Sequence, residues 1–248
     1  MIPRRVYEHV TTHNWFAVAI DFIIVVVGVF VGLQAQEWNA ARQDRSREAV
    51  YLASIARDVR SDIAEIDEIV RVSRVRMAAL DVLLPAATGR DLPTGFASAR
   101  GLIEIEKAPP FSEADHGSAG IALFILTTLE GNRAGYDTMI NTGGISLVRD
   151  AALLREIHDY YATAASLRDF ELSLKESRVA LVGAEKEVGI SPVDETPAAE
   201  LANAFGADAR LIAAAKNYWL YTNRHVKLMR DLRVKAEALL ARLEGGSP

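Results

Sequence analysis

The hydrophobic positions fall into two regimes. Before residue 34 they run together; after residue 40 they recur three and four apart. From Trp15 to Leu33, nineteen residues carry one charge, Asp21. As a helix at about 1.5 Å per residue they approach the ~30 Å of a bilayer core. The ten large apolar residues from Phe22 to Leu33 favour insertion by roughly 3 to 6 kcal/mol in total. Asp21 sits near one end and costs less than the roughly 2.5 to 3.5 kcal/mol of a mid-membrane acid. A cleaved signal peptide needs small residues at the cut, and Leu33-Gln34-Ala35 offers a large one. A helix apolar on every side is either a membrane span or a buried core helix, and at this length the core helix is the lesser alternative. The pattern predicts a short tail over 1–14 and an uncleaved transmembrane helix over 15–36, with Trp15 and Trp38 at the membrane–water interfaces. Arg4 and Arg5 on one flank nearly balance Arg42, Arg45 and Arg47 on the other, so charge gives little orientation.

At about 100° per residue, Ala17, Asp21, Gly28, Gly32, Ala35 and Asn39 lie within roughly 40° of one line. Gly28-Val-Phe-Val-Gly32 is a small-xxx-small pattern, which lets two helix backbones approach closely. These six residues are the candidate membrane-helix interface. The plainer alternative makes the glycines incidental and turns Asp21 toward headgroup water.

Beyond Ala40 two heptad series interleave: Leu52, Val59, Ile66, Ser73, Leu80 and Ala56, Ile63, Val70, Met77, Leu84. Only Ser73 breaks the apolar seam. The seam predicts a stalk helix over 37–84, continuous with the membrane helix and suited to a coiled coil or bundle. Arg57/Asp58, Arg60/Asp62 and Glu65/Asp67/Glu68 between the seam positions read as a solvated face. Pro85 to Phe111 reads as a break, in which "LIEIE" forms a strand or a helical turn. Ser112 with Asp115 suggests a helix start, and "GIALFILTTLEG" a buried central helix. A short helix near Tyr136–Asn141 stops at Gly143-Gly144, "ISLV" is an extended link, and Asp150 caps a helix to about Val188. Residues 189–207 read as a linker. The last helix, about 208–243, repeats the heptads with Leu211, Tyr218, His225, Leu232, Leu239 and Ala215, Thr222, Met229, Ala236, Leu243. The fold class expected is all-α: the membrane helix continuing into the long heptad helix, and a domain over 85–248 completing an antiparallel bundle of four or five helices on it.

Composition removes several functions. The 248 residues carry a net charge of −5 and no long basic run, so nucleic acid is not an expected partner. Cysteine is absent, which removes disulfides, thiolate metal sites and thiol catalysis. Glu113-Ala-Asp115-His116 has the Glu-x-x-His spacing of a di-iron ligand pair, but such a site needs two copies and only one exists. His158-Asp159 with Tyr160-Tyr161 fits an acid–base cluster, or more simply a packed helix face. His225 falls on the heptad seam as a core histidine. No Gly-rich phosphate loop or His-Glu-x-x-His is present. No enzyme activity and no cofactor are expected. Were the bundle a ligand sensor, Phe124, Tyr161, Tyr218 and His225 are the candidate pocket.

Two stretches carry a resemblance. The first is "DFIIVVVGVFVGLQAQEWNAARQDRSREAVYLASIARDVRSDI", in which Tyr51-Leu52, Asp58 and Asp62 follow the Trp-Asn exit. The second is "YDTMINTGGISLVRDAALLREIHDYY". Together they resemble a family of bacterial single-pass membrane proteins catalogued only as a domain of unknown function. The resemblance covers about residues 1–65 and 130–172. This chain departs from the family in Gln34 and Gln36, where the family has a denser Asn run, and in a tail of only two arginines. The resemblance implies a helical domain anchored in a bacterial inner membrane and facing the periplasm, with no activity implied. The expected role is a scaffold or accessory subunit assembling through its membrane helix and stalk, as a homo-oligomer or with a partner membrane protein. The alternative is a ligand-sensing bundle.

Overall fold

The computed structural model describes residues 15–98 and 101–245; the tail over 1–14, with His9 and His13, lies outside them. Helix α1 spans Trp15–Thr88. With no glycine or proline between Gly32 and Pro85, nothing interrupts its hydrogen-bond ladder before the last turn. Pro85 does not end it at 84. The ring removes one helix bond and crowds the carbonyl four residues back, yet the helix runs on to Thr88, and Gly89, at φ 62°, closes the end by donating to Pro85 O at 2.8 Å.

The described residues form two compact units, divided between Val50 and Tyr51. The first is α1 up to Val50. The second is an all-α bundle with one small β-ribbon. Strands β1 (Gly95–Ser98) and β2 (Gly101–Glu104) pair antiparallel, so "LIEIE" begins as a strand. Then follow α2 (Glu113–His116), α3 (Ala119–Phe124), α4 (Ala134–Asn141), α5 (Ala151–Glu187), α6 (Ala198–Ala207) and α7 (Ala209–Gly245).

Three long helices make the frame: α1 from Tyr51 onward, α5 and α7. Helix α7 runs antiparallel to α1, as the pairs Arg60–Glu244, Arg233–Asp67 and Trp219–Asp81 show. It runs antiparallel to α5 as well, through Lys235–Asp159 and Arg210–Glu187. The short helices α3 and α6 pack at one end through Ala119, Leu123, Leu201 and Phe205, giving a five-helix bundle. Because α5 and α7 both press on α1, its buried face is wider than a two-stranded seam. Ile55, Asp62, Ile69, Arg76 and Leu83, seven apart, are each buried to 2% exposure or less. The heptad seam is therefore filled within the chain itself.

The core falls into two apolar clusters. One holds Ile55, Val59, Ile66, Ile157, Met229 and Leu239. The other holds Leu80, Leu84, Leu174, Leu181, Tyr218 and Phe205. Between them α1 contributes Ser73 and Arg76, α5 Glu171, and α7 Thr222 and His225, all buried. The bundle has a polar layer at mid-height.

Four local expectations need correction. Helix α3 ends at Phe124, so "ILTTLEG" is not helical. β-Branched Ile125, Thr127 and Thr128 weaken the helix, and side chains satisfy the exposed backbone instead. Gly144–Leu147 is a 3₁₀ turn rather than an extended link; its preceding Gly143 has φ 72°. Residues 198–207 are helix α6 rather than linker, because Leu201, Ala202 and Phe205 form a buried face. Asp58 and Asp62 are 4% and 2% exposed, not solvated. Asp150 does cap α5, accepting from the N–H groups of Ala152 and Leu153 at 2.8 and 3.0 Å, and these bonds, led by that from Leu153, hold its carboxyl below the usual range.

Candidate functional site

The membrane-like segment is exposed along its whole described length. Asp21, Gly28, Gly32, Ala35 and Asn39 all face open space, and a Cβ added at Gly28 or Gly32 would meet nothing within 4 Å. The side chains of Trp15 and Ala17 lie outside the described residues; Trp38 is 68% exposed. Phe22 and Phe30 are also more than half exposed. The helix is long and apolar enough to span a membrane.

The two stretches that carry the family resemblance meet in the bundle. On α1, Tyr51, Asp58, Asp62 and Glu65 are spaced seven, four and three apart, which places them on one face. The loop ahead of α4 needs donors satisfied, since its N–H groups have no helix partner. Glu65 accepts from Glu130 N at 2.6 Å and Gly131 N at 3.1 Å. Asp62 accepts from Asn132 N at 2.7 Å, and Asp58 from Gly135 N at 2.6 Å. Tyr160 from α5 donates its hydroxyl to Asp62 at 2.6 Å. Burial raises the Asp62 carboxyl above its ordinary range and raises the Tyr160 phenol too. Tyr51 bonds Thr142 at 2.8 Å and lies against Gly144. Gly135 and Gly144 stand at close approaches of the chain. A Cβ at the first would sit 2.8 Å from the Ser54 backbone carbon, and at the second 2.5 Å from the Tyr51 ring. This ladder of carboxylates ties α4 and the loop before it to α1.

His158 belongs to the same region. Its Nδ1 bonds the Tyr136 hydroxyl at 2.8 Å, Tyr136 stacks on Tyr161 at 4.2 Å, and the Arg133 guanidinium lies over both rings. Asp159 instead pairs with Lys235. The histidine and its neighbouring acid therefore work apart, as a packed aromatic face.

In the polar layer, Arg76 is fully buried. Its Nε donates to Thr222 Oγ1 at 3.1 Å, Nη1 to the Ile125 carbonyl at 2.9 Å and Nη2 to Ser73 Oγ at 3.0 Å. The Tyr218 ring lies against its guanidinium at 5.3 Å. Ser73, the polar break in the heptad seam, is there to accept from Arg76. Glu171 Oε1 accepts from Leu129 N and from His225 Nε2, both at 2.9 Å. Burial lowers the His225 pKa despite Glu171, and the nearby Arg76 adds to the effect. Phe124 and Ile125 give their carbonyls to Arg178 and Arg76. Segment 124–131 thus takes its hydrogen bonds from bundle side chains instead of from helix. Deeper toward α6, Glu185 is 4% exposed and burial pushes its carboxyl up to about 7.

The four expected pocket residues are placed separately. Tyr161 belongs to one apolar cluster and Tyr218 to the other, His225 is in the polar layer, and Phe124 is 44% exposed beneath Arg178. A groove of about 320 Å³ opens elsewhere, between β1–β2, α5 and α7, with Phe96, Phe170 and Tyr221 among its walls. Sequence periodicity missed it because its rings lie off the heptad seam, on three elements far apart in the chain. Of the Glu-x-x-His pair, Glu113 accepts from Ala198 N at 2.7 Å to start α6, and His116 lies beside Phe111. Among the described residues no three His, Asp or Glu side chains gather as a metal site.

No family model, no curated protein and no solved structure matches the chain.

Proposed function

We propose that this protein is a non-enzymatic scaffold or accessory subunit, held by α1 as a single-pass anchor in a bacterial inner membrane with its bundle in the periplasm. It assembles through the anchor, with a second copy or with a partner membrane protein. One observation carries the reading: Asp21, Gly28, Gly32, Ala35 and Asn39 form an exposed face with open space at both glycines. In a bilayer such a face gives close backbone contact, and an acid on it needs a polar partner. The stalk seam is not part of this surface, since α5 and α7 already cover it. The resemblance noted above supports the membrane and its side. Changing Gly28 and Gly32 together to Leu is expected to abolish most association in a membrane two-hybrid assay. Unchanged association removes the stripe. An alkaline-phosphatase fusion at the C-terminus is expected to be active, and an inactive one reverses the orientation.

A second reading, a ligand-sensing bundle, is favoured by the 320 Å³ groove on its surface.

A further inference from the structure

We propose that the groove between the β-ribbon, α5 and α7 binds a small zwitterion with an apolar body, of the class of a free amino acid with a large apolar side chain. The groove's volume, about 320 Å³, is at the small end of ligand sites, ~300 to 1,000 Å³. It suits one ring or short chain and excludes a two-chain lipid. Its walls are Phe96, Phe170, Tyr221 and Leu220. Phe170 and Tyr221 meet at 5.7 Å, and Phe96 is edge-on to Trp219 at 6.3 Å. Such rings are rigid surfaces for an aromatic or branched side chain.

The polar groups at this groove come in both signs. Arg224 and Lys227, three apart on α7, share one side of that helix and both line the groove. Arg224 is exposed and has no hydrogen-bond or ion-pair partner among the described residues; Lys227 reaches only Asp231, at 3.8 Å. Together they suit a carboxylate. Two acceptors face the opposite demand. Glu104, at the end of β2, lines the groove with no partner for its carboxylate among the described residues. Asn223, 6% exposed, also lines it. Its Nδ2 donates to Trp219 O at 2.9 Å, which leaves Oδ1 buried without a donor. A buried amide oxygen left unpaired is costly. A purely anionic ligand would leave Asn223 unsatisfied and meet Glu104; a purely cationic one would meet Arg224 and Lys227. A molecule with an ammonium and a carboxylate on an apolar body answers all four.

This deepens the sensing reading and is independent of assembly through the anchor. The test is calorimetric titration of the full chain in phosphatidylcholine nanodiscs. L-Phenylalanine is compared with 2-phenylethylamine, which lacks the carboxylate, and 3-phenylpropionate, which lacks the ammonium. L-Phenylalanine is expected to bind once per chain, with each analogue at least about tenfold weaker, since each loses charge-assisted hydrogen bonds. Arg224→Gln with Lys227→Gln should bring L-phenylalanine down to the level of 2-phenylethylamine. Glu104→Gln should bring it down to the level of 3-phenylpropionate. All three side chains are exposed, so the circular-dichroism melt of each variant should match the parent. No heat with millimolar L-phenylalanine overturns the proposal, as does either analogue binding equally well or the variants binding unchanged. Binding without any change in partner association keeps the ligand class and removes the sensing reading.

Discussion

The two parts of α1 invert the usual rule in opposite directions. In its first part large apolar side chains face outward, Phe22 at 68% and Phe30 at 61% exposure. From Tyr51 onward charged side chains face inward, Arg76 at 0% and Asp62 at 2%. An unbroken apolar surface on that scale is unfavourable in water and calls for an apolar solvent. Buried charge is unfavourable unless every polar atom finds a partner. The first part has the length and apolar character to cross a membrane, whereas the second makes its own apolar surroundings. The lesson is that the same helical pattern acquires opposite energetics from its neighbours. Substitutions in the two parts should accordingly differ in kind.

The largest effect is expected at Arg76. Arg76→Ala strips donors from the Ile125 carbonyl, Ser73 and Thr222 and opens a cavity at the centre of the bundle. Urea unfolding of the full chain in detergent should show a loss of about 3 to 5 kcal/mol. Arg76→Met fills the space and restores part of it, leaving the carbonyl unpaired. Phe22→Ala, in the exposed part, should leave the same transition unchanged. A small loss at Arg76 would mean that the polar layer adds little to stability.

Next is a pH effect from Glu185. Its folded-state pKa is raised from 4.5 to about 7, so the folded protein holds a proton that the unfolded chain releases. Stability from this group is full below about 4.5 and is lost as pH rises through about 7. The total is roughly 3 kcal/mol at 1.36 kcal/mol per unit. His225 acts in the opposite sense: its lowered pKa makes stability fall as pH drops below its usual value. Glu185→Gln keeps the shape without the titration. The difference between parent and variant, measured by urea unfolding at pH 5 and pH 8, isolates Glu185. Equal pH dependence in the two proteins would show that the carboxyl is ionised in the fold.

Much of this frame was legible in the sequence because it rests on periodicity. The heptads placed the later part of α1 and α7, Asp150 marked the start of α5, and Gly143-Gly144 marked the stop of α4. Buried charge was not legible, because a buried Arg76 or Asp62 is indistinguishable from a solvated one until its partners, as far as 146 residues away for Arg76 and 98 for Asp62, are known. The available hints were Ser73, Thr222 and His225 on the heptad series, His225 read as a core histidine. Segment 125–131 was misread for a related reason. Its hydropathy suited a core helix, but its hydrogen bonds go to Arg76, Glu171 and Glu65. The groove eluded sequence reasoning entirely, since Phe96, Phe170 and Tyr221 share no period. The stripe read from rotation per residue is exposed, with nothing within 4 Å of a Cβ at Gly28 or Gly32, and its contact is the proposal made above.

The glycines give the sharpest form of the comparison between the two parts. Gly135→Ala forces a Cβ to within 2.8 Å of the Ser54 backbone carbon and 2.9 Å of Asp58 Oδ2. Backbone cannot yield as a flexible side chain does, and any shift also disturbs the 2.6 Å bond from Gly135 N to Asp58. The expected cost is about 1 to 3 kcal/mol in urea unfolding. Gly144→Ala meets the Tyr51 ring, which can turn, so its cost should fall toward the lower end of that range. Gly28→Ala and Gly32→Ala meet nothing, and neither should move the unfolding transition of the bundle by more than about 0.5 kcal/mol. If the anchor packs against a partner helix, these two should instead lower association in the membrane, because each added methyl holds the backbones apart. Measured on the same samples, unfolding and association should therefore move independently: Gly135→Ala shifts the first and spares the second, and Gly32→Ala does the reverse. A bundle destabilised by Gly32→Ala would mean that this glycine touches the chain's own fold, which the open space around it contradicts.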